Sequence, residues 1–346
     1  MHLRSQARSG SSSDQLASVS RQRSQMQLPM LNLADTTRNN IVAMLGEFVG
    51  TFLFLFWSFA GTQIANTPKP PEGADPNPAA LLYASLSFGF SLTVNVWAFY
   101  RVTGGLFNPS VTLALYLVGG LPLLRSVLVF IAQILGGLAA AGVVSCLFPG
   151  SLNVETTLGG GTSISRGLFI EMFLTTQLVF VVIMLAAVKH KATFLAPVGI
   201  GLSFFVTELA GIYYTGGSLN FARSLGPAVV NHHFPGYFWI YFVGPLLGSL
   251  LASAFFYLLN QLRYQTCNPG QDYNELEAQM EKERSASQST PGENLQQGPR
   301  HTRNMSELTA VNSSNGHAND VAHAKQHSES PLASPTQTTP PAGEPN

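Results

Sequence analysis

The chain has 346 residues, is 46% hydrophobic and only 10% charged, and carries zero net charge. Soluble domains carry about 25% charged residues, so this composition points away from them. Without a basic block interleaved with aromatics, nucleic acid is excluded as a partner. Two cysteines, Cys146 in an apolar run and Cys267 in a polar one, indicate neither a disulfide framework nor a metal site.

Residues 1–38 are rich in Ser, Gln and Arg, and 264–346 in Ser, Asn, Gln, Pro, Glu and Thr. Neither end has the apolar content for a core, so both are expected to be disordered tails. "RQRSQ" (21–25) sets Ser24 beside two arginines, as a phosphorylation site or a lipid-attracted run. No cleavable signal peptide is expected at the polar start, which leaves targeting to the first apolar span.

A membrane-spanning helix needs roughly 20 mostly apolar residues. Six stretches qualify: about 41–65, 80–100, 122–148, 167–188, 194–214 and 236–262. Two shorter apolar segments, 109–118 and 221–230, are too short to span and read as re-entrant half-helices buried between the others. Arginines and lysines cluster at 4, 8, 21, 23 and 38, at 101 and 125, at 189 and 191, and at 263. By the positive-inside rule this places both termini in the cytoplasm.

The chain also repeats itself. "GEFVGTFLFLF" (46–56) aligns with "IEMFLTTQLVF" (170–180), matching Glu47 to Glu171. Asn108 follows the second span and Asn220 the fifth. Repeat one covers about 41–148 and repeat two about 167–262 of an apolar region at 39–263. Three spans per repeat make the two inverted in the membrane, which brings their special segments together near the midplane. Small residues (Gly46 with Gly50, Gly244 with Gly248, and Gly136, Gly137 and Gly142) are expected where spans pack closely.

Asparagine is a strong N-cap and proline fits the first helical turn. Asn108-Pro109-Ser110 therefore reads as a cap and first turn, and Asn220-Phe221-Ala222 as its counterpart. Two half-helices meeting N-terminus to N-terminus would present about half a positive charge each. With amide donors from the asparagines, they orient water and repel cations and protons.

These residues, with "AQILGG" (132–137), "ARSLGPA" (222–228) and "FVGPLLG" (242–248), resemble the aquaporins, or major intrinsic proteins, over about 41–263. The resemblance implies an all-α membrane protein of six transmembrane helices plus two re-entrant half-helices. It implies a homotetramer in which each protomer has its own pore, with no cofactor and with water and small neutral solutes as permeants. It carries a selectivity filter onto Phe88, Glu208, Gly217 and Arg223, a pore-lining role onto Leu106, and structural hydrogen bonding to half-helix loops onto Glu47 and Glu171, with Gln133 beside them. The water-conducting branch fits best, because Ser224 follows Arg223 where glycerol channels carry Asp, and Ala228 and Tyr241-Phe242 also match it. Hydrogen peroxide, close to water in size and polarity, is the natural second permeant. Four departures stand out. Glu208 replaces the usual histidine or glycine, Leu106 a histidine, Ser110 an alanine, and Phe221 a proline. Glu208 is expected to pair with Arg223, neutralise it and shift solute selectivity.

Other classes stay open. A secondary transporter shares inverted repeats and broken helices, but needs a coupling-ion site that the carboxylates do not supply. A small-solute channel with an altered filter, or a closed pore retained for adhesion or scaffolding in a membrane such as the plasma membrane, are the further alternatives. No nucleophile arrangement of Ser, His and Cys marks an enzyme.

Overall fold

The computed structural model describes residues 34–69, 71, 75–268, 271, 278–280 and 282–283. Ser24 and most of the two polar ends lie outside them.

Helix α1 spans Asp35–Ala65. It begins six residues (41 − 35) before the apolar stretch, so residues 35–38 belong to the helix and not to a tail. Adding residues to a long nucleated helix is cheap. Asp35 in the first turn complements the helix dipole and bonds Arg38 Nη2 at 2.8 Å. α2, Pro78–Phe99, starts where Asn77 accepts from Ala79 N and Ala80 N, with Pro78 at the first turn. The half-helix α3 is Pro109–Leu117, followed by α4, Leu123–Leu147. α5, Ile164–Val182, runs on through a π-helical turn at Ile183–Ala187. α6, Ala196–Thr215, follows a short 3₁₀ turn and stops at Gly216, whose φ of 82° closes the helix in the left-handed region. The second half-helix, α7, is Phe221–Val230. α8 is Ile240–Gln261, four residues later than the apolar run suggests, because Phe238 N and Ile240 N donate to Pro235 O and Tyr237 O in tight turns. A 3₁₀ turn at Tyr264–Thr266 continues past the sixth span, inside the segment expected to be tail.

Six of these helices are long and apolar enough to cross a membrane. Trp57, Phe90, Val94, Phe169 and Leu147 project outward from them, as lipid-facing residues do. The packing is two-fold in pattern. α1 lies on α4 as α5 lies on α8, and α2 faces α6. Each half-helix docks against the third span of the other repeat, α7 on α4 and α3 on α8. Glycines set the spacing. A Cβ at Gly136 would stand 2.7 Å from Phe48 O, and one at Gly248 would stand 2.6 Å from Met172 O. These are equivalent contacts in the two repeats. Gly142 departs from the expectation, because a Cβ there meets nothing within 4 Å.

Candidate functional site: two asparagine caps and a buried arginine

Asn108 caps α3 by accepting from Ser110 N at 2.8 Å. Asn220 caps α7 by accepting from Ala222 N at 3.0 Å and from Arg223 N at 3.4 Å. Each asparagine also crosses to the opposite motif. Asn108 Nδ2 donates to Leu219 O at 2.9 Å, and Asn220 Nδ2 donates to Phe107 O at 2.8 Å. The two half-helices therefore meet at their N-termini. Phe107 and Leu219, which supply those carbonyls, have φ of 49° and 51°. Left-handed backbone at a non-glycine residue costs on the order of 1–2 kcal/mol. The strain recurs at both symmetry-related positions and persists because fixed partners hold it.

Those partners include the buried carboxylates. Glu47 accepts from Leu106 N at 3.1 Å, Phe107 N at 2.8 Å and Gln133 Nε2 at 2.8 Å. Glu171 accepts from Ser218 N at 3.0 Å and Leu219 N at 2.9 Å. Irregular backbone at membrane depth requires such acceptors.

The departures from the family pattern are absorbed locally. Pro109 occupies the first turn of α3, and the carbonyl of Ser110 accepts from Ser249 Oγ at 2.8 Å. Phe221 packs edge-on against Phe242 with ring centroids 5.1 Å apart. Ala222 is buried where α7 meets Gly137 of α4. Leu106 is buried and, with Asn108, lines a narrow inner cavity.

Arg223 is 1% exposed, and each of its three guanidinium nitrogens donates to a backbone carbonyl. Its Nε donates to Gly217 O at 3.0 Å, Nη1 to Val154 O at 2.6 Å and Nη2 to Gly216 O at 3.1 Å. Its Cζ lies 4.9 Å from the centroid of the Phe88 ring and 5.6 Å from that of Phe59. A guanidinium satisfied by carbonyls and aromatic faces avoids much of the cost of burying a charge. Phe59 and Val154 carried no sequence signal. Phe59 is one of many span-one aromatics, and Val154 contributes only its backbone carbonyl.

Glu208 corrects one expectation. It is fully buried and near enough to Arg223 to interact electrostatically, but it makes no ion pair with it. Arg223 directs its donors to carbonyls, and neither Glu208 oxygen has a hydrogen-bond partner among the described residues. The carboxylate instead rests on Gly217, where a Cβ would stand 1.9 Å from Oε2. Gly217 also has φ of 60°, so both space and backbone demand glycine there.

A wider cavity is lined by Asn66, Lys69, Glu155, Asn231 and His233. The segment carrying Val154 is pinned there by Asn231, which donates to Leu152 O at 2.9 Å and to Glu155 Oε1 at 2.6 Å. Glu155 Oε2 is 2.8 Å from His233 Nδ1.

Several known proteins are similar to this chain. Aquaporin-7 of Botryotinia fuckeliana (strain B05.10) is 59% identical over 247 residues, covering 70% of this chain and 54% of that protein. The chain thus spans about half the length of that relative. Aquaporin-2 of the same organism is 47% identical, covering 86% of this chain and 80% of that protein. Probable aquaporin-3 of Gibberella zeae (strain PH-1) is 52% identical, covering 67% and 82%. The aquaglyceroporin from Plasmodium falciparum shares the fold, with a TM-score of 0.55 and 22% identity over 63% of this chain and 95% of that one. The family described as MIP, major intrinsic protein, matches residues 35–257, and the chain belongs to it.

Proposed function

We propose that the chain forms a passive membrane channel for water, with hydrogen peroxide as a second permeant, that excludes protons and other cations. The observation that carries this reading is the reciprocal pair Asn108–Leu219 O and Asn220–Phe107 O at two facing helix N-termini. Each amide nitrogen carries two hydrogens, so one crosses to the opposite motif and one is left for a lumen water. The facing dipoles and Arg223 then oppose cation passage. The reading includes a homotetramer with one pore per protomer, residence in the plasma membrane, and both termini in the cytoplasm.

The test is stopped-flow flux through the purified protein in liposomes. Water and peroxide permeability above protein-free vesicles, with low activation energy, no dependence on an ion gradient and little glycerol flux, is the expected result. Flux driven by an ion gradient would sink the channel reading, and no flux of any permeant would favour the closed scaffold.

A second reading, altered solute selectivity, is favoured by the Glu208 carboxylate, which lies beside Gly217 and has no hydrogen-bond partner among the described residues. It presents two acceptor oxygens where the family's water channels usually carry a histidine. Glu208→His is expected to lower peroxide flux relative to water flux. An unchanged ratio in the same liposomes would remove Glu208 from the selectivity filter.

A further inference from the structure

Three phenylalanines from three helices meet, with Phe107 stacked on one of them, Phe54, and Arg223 over another, Phe88. Phe54 comes from α1, Phe88 from α2 and Phe204 from α6. The ring centroids of Phe54 and Phe204 are 5.7 Å apart at 86°, those of Phe88 and Phe204 are 5.8 Å apart at 25°, and those of Phe54 and Phe88 are 6.4 Å apart at 70°. Each ring thus touches both others in a stacked or edge-on geometry that aromatic quadrupoles favour. All three are at most 1% exposed.

The placement of the cavities gives this cluster its meaning. The inner cavity, which Leu106 and Asn108 line, ends against Phe54 and Phe204. Neither Phe88 nor Arg223 lines it, and neither lines the wide cavity beside Glu155. Two rings of the triad thus wall the inner cavity, and the third, Phe88, carries Arg223 on its face. Phe204 is one helical turn from Glu208 on the same helix face (208 − 204 = 4), so α6 turns Ile200, Phe204 and Glu208 successively inward.

We propose that Phe204 is a permeation-determining residue: its ring, locked against Phe54 and Phe88, forms an apolar constriction distinct from both the asparagine pair and the Arg223 constriction. Water crosses the layer only as the Phe204 ring swings aside and widens the gap, which lowers the single-channel rate. An apolar neck also offers a solute no hydrogen bond in exchange for the water it sheds, so polar solutes larger than water are penalised most. This rests on the channel reading, and it names the wall that limits flow within it.

The experiment measures water and glycerol permeability per protomer in liposomes of known protein content. It compares wild type, Phe204→Val, Phe204→Trp and the control Phe56→Val. Phe56 stacks on Phe52 outside the triad, with centroids 5.8 Å apart. Phe204→Val is expected to raise water permeability roughly threefold or more and to raise glycerol flux by a larger factor, while Phe204→Trp lowers both and Phe56→Val leaves them unchanged. Unchanged flux in a Phe204→Val protein that remains monodisperse and melts cooperatively would overturn the inference. So would silence of every variant, because removing the ring would then fail to join the cavities. Wild type silent with Phe204→Val conducting supports the constriction while overturning the proposal that the unaltered channel is open, so the two failures are distinguishable.

Discussion

Glu47→Leu is expected to cost the folded channel most of its stability. Leucine is close in volume, so the change isolates the loss of the carboxylate. Leu106 N, Phe107 N and Gln133 Nε2 would all lose their acceptor in a segment with no bulk water. At about 1–3 kcal/mol for each buried donor left unpaired, three donors amount to roughly 3–9 kcal/mol. That range is comparable to the whole stability of many proteins, commonly about 5–15 kcal/mol. The left-handed turn at Phe107 depends on the same bonds, so the carbonyl that receives Asn220 Nδ2 would be released with it. Glu47→Gln keeps one acceptor oxygen and is expected to fall between the two. Thermal melting in detergent, read beside water flux, decides this. Equal melting of wild type and Glu47→Leu would mean that the turn is held by something else.

Gly137→Leu is expected to prevent α7 from docking. A Cβ at Gly137 would stand 2.5 Å from Ala222 O, and one at Gly226 would stand 2.5 Å from Gly137 O. Both obstructions are backbone atoms, which cannot turn away as a side chain can. Because α7 carries Asn220 at its N-terminus, a shift of α4 away from it would break the pairing with Phe107 O. A destabilisation of about 4 kcal/mol or more places this among the most severe single substitutions. Gly142→Leu, with open space around its Cβ position, serves as the contrast and is expected to fold normally. Size-exclusion profiles and melting curves of the two variants check the pair. Indistinguishable behaviour would show that close approach of α4 and α7 is not what Gly137 provides.

The two half-helices were legible because a capping asparagine and a ten-residue apolar run are local features, set by chain chemistry within one turn. The spans were legible for the same reason, since hydrophobic length alone decides them. Their ends were less so. α1 extends back to Asp35 and α8 waits until Ile240, because a helix dipole and a series of tight turns decided those boundaries rather than apolarity.

The sequence by itself determined the six spans, the half-helices and the pairing of Glu47 with Glu171, all of which follow from composition, spacing and internal repetition. Only the tertiary structure decided what Arg223 and Glu208 do with their charges. The family resemblance set them at one constriction and so suggested an ion pair, yet Arg223 finds the carbonyls of Gly216, Gly217 and Val154, while Glu208 packs against Gly217 without a hydrogen-bond partner among the described residues. It also decided that Phe54, Phe88 and Phe204 share one layer. The physical reason is the same for both. A guanidinium fork takes the nearest well-aimed acceptors, and rings on separate helices meet only when backbones far apart in sequence converge. Neither the direction of a backbone carbonyl nor the convergence of helices is written in any local stretch of residues.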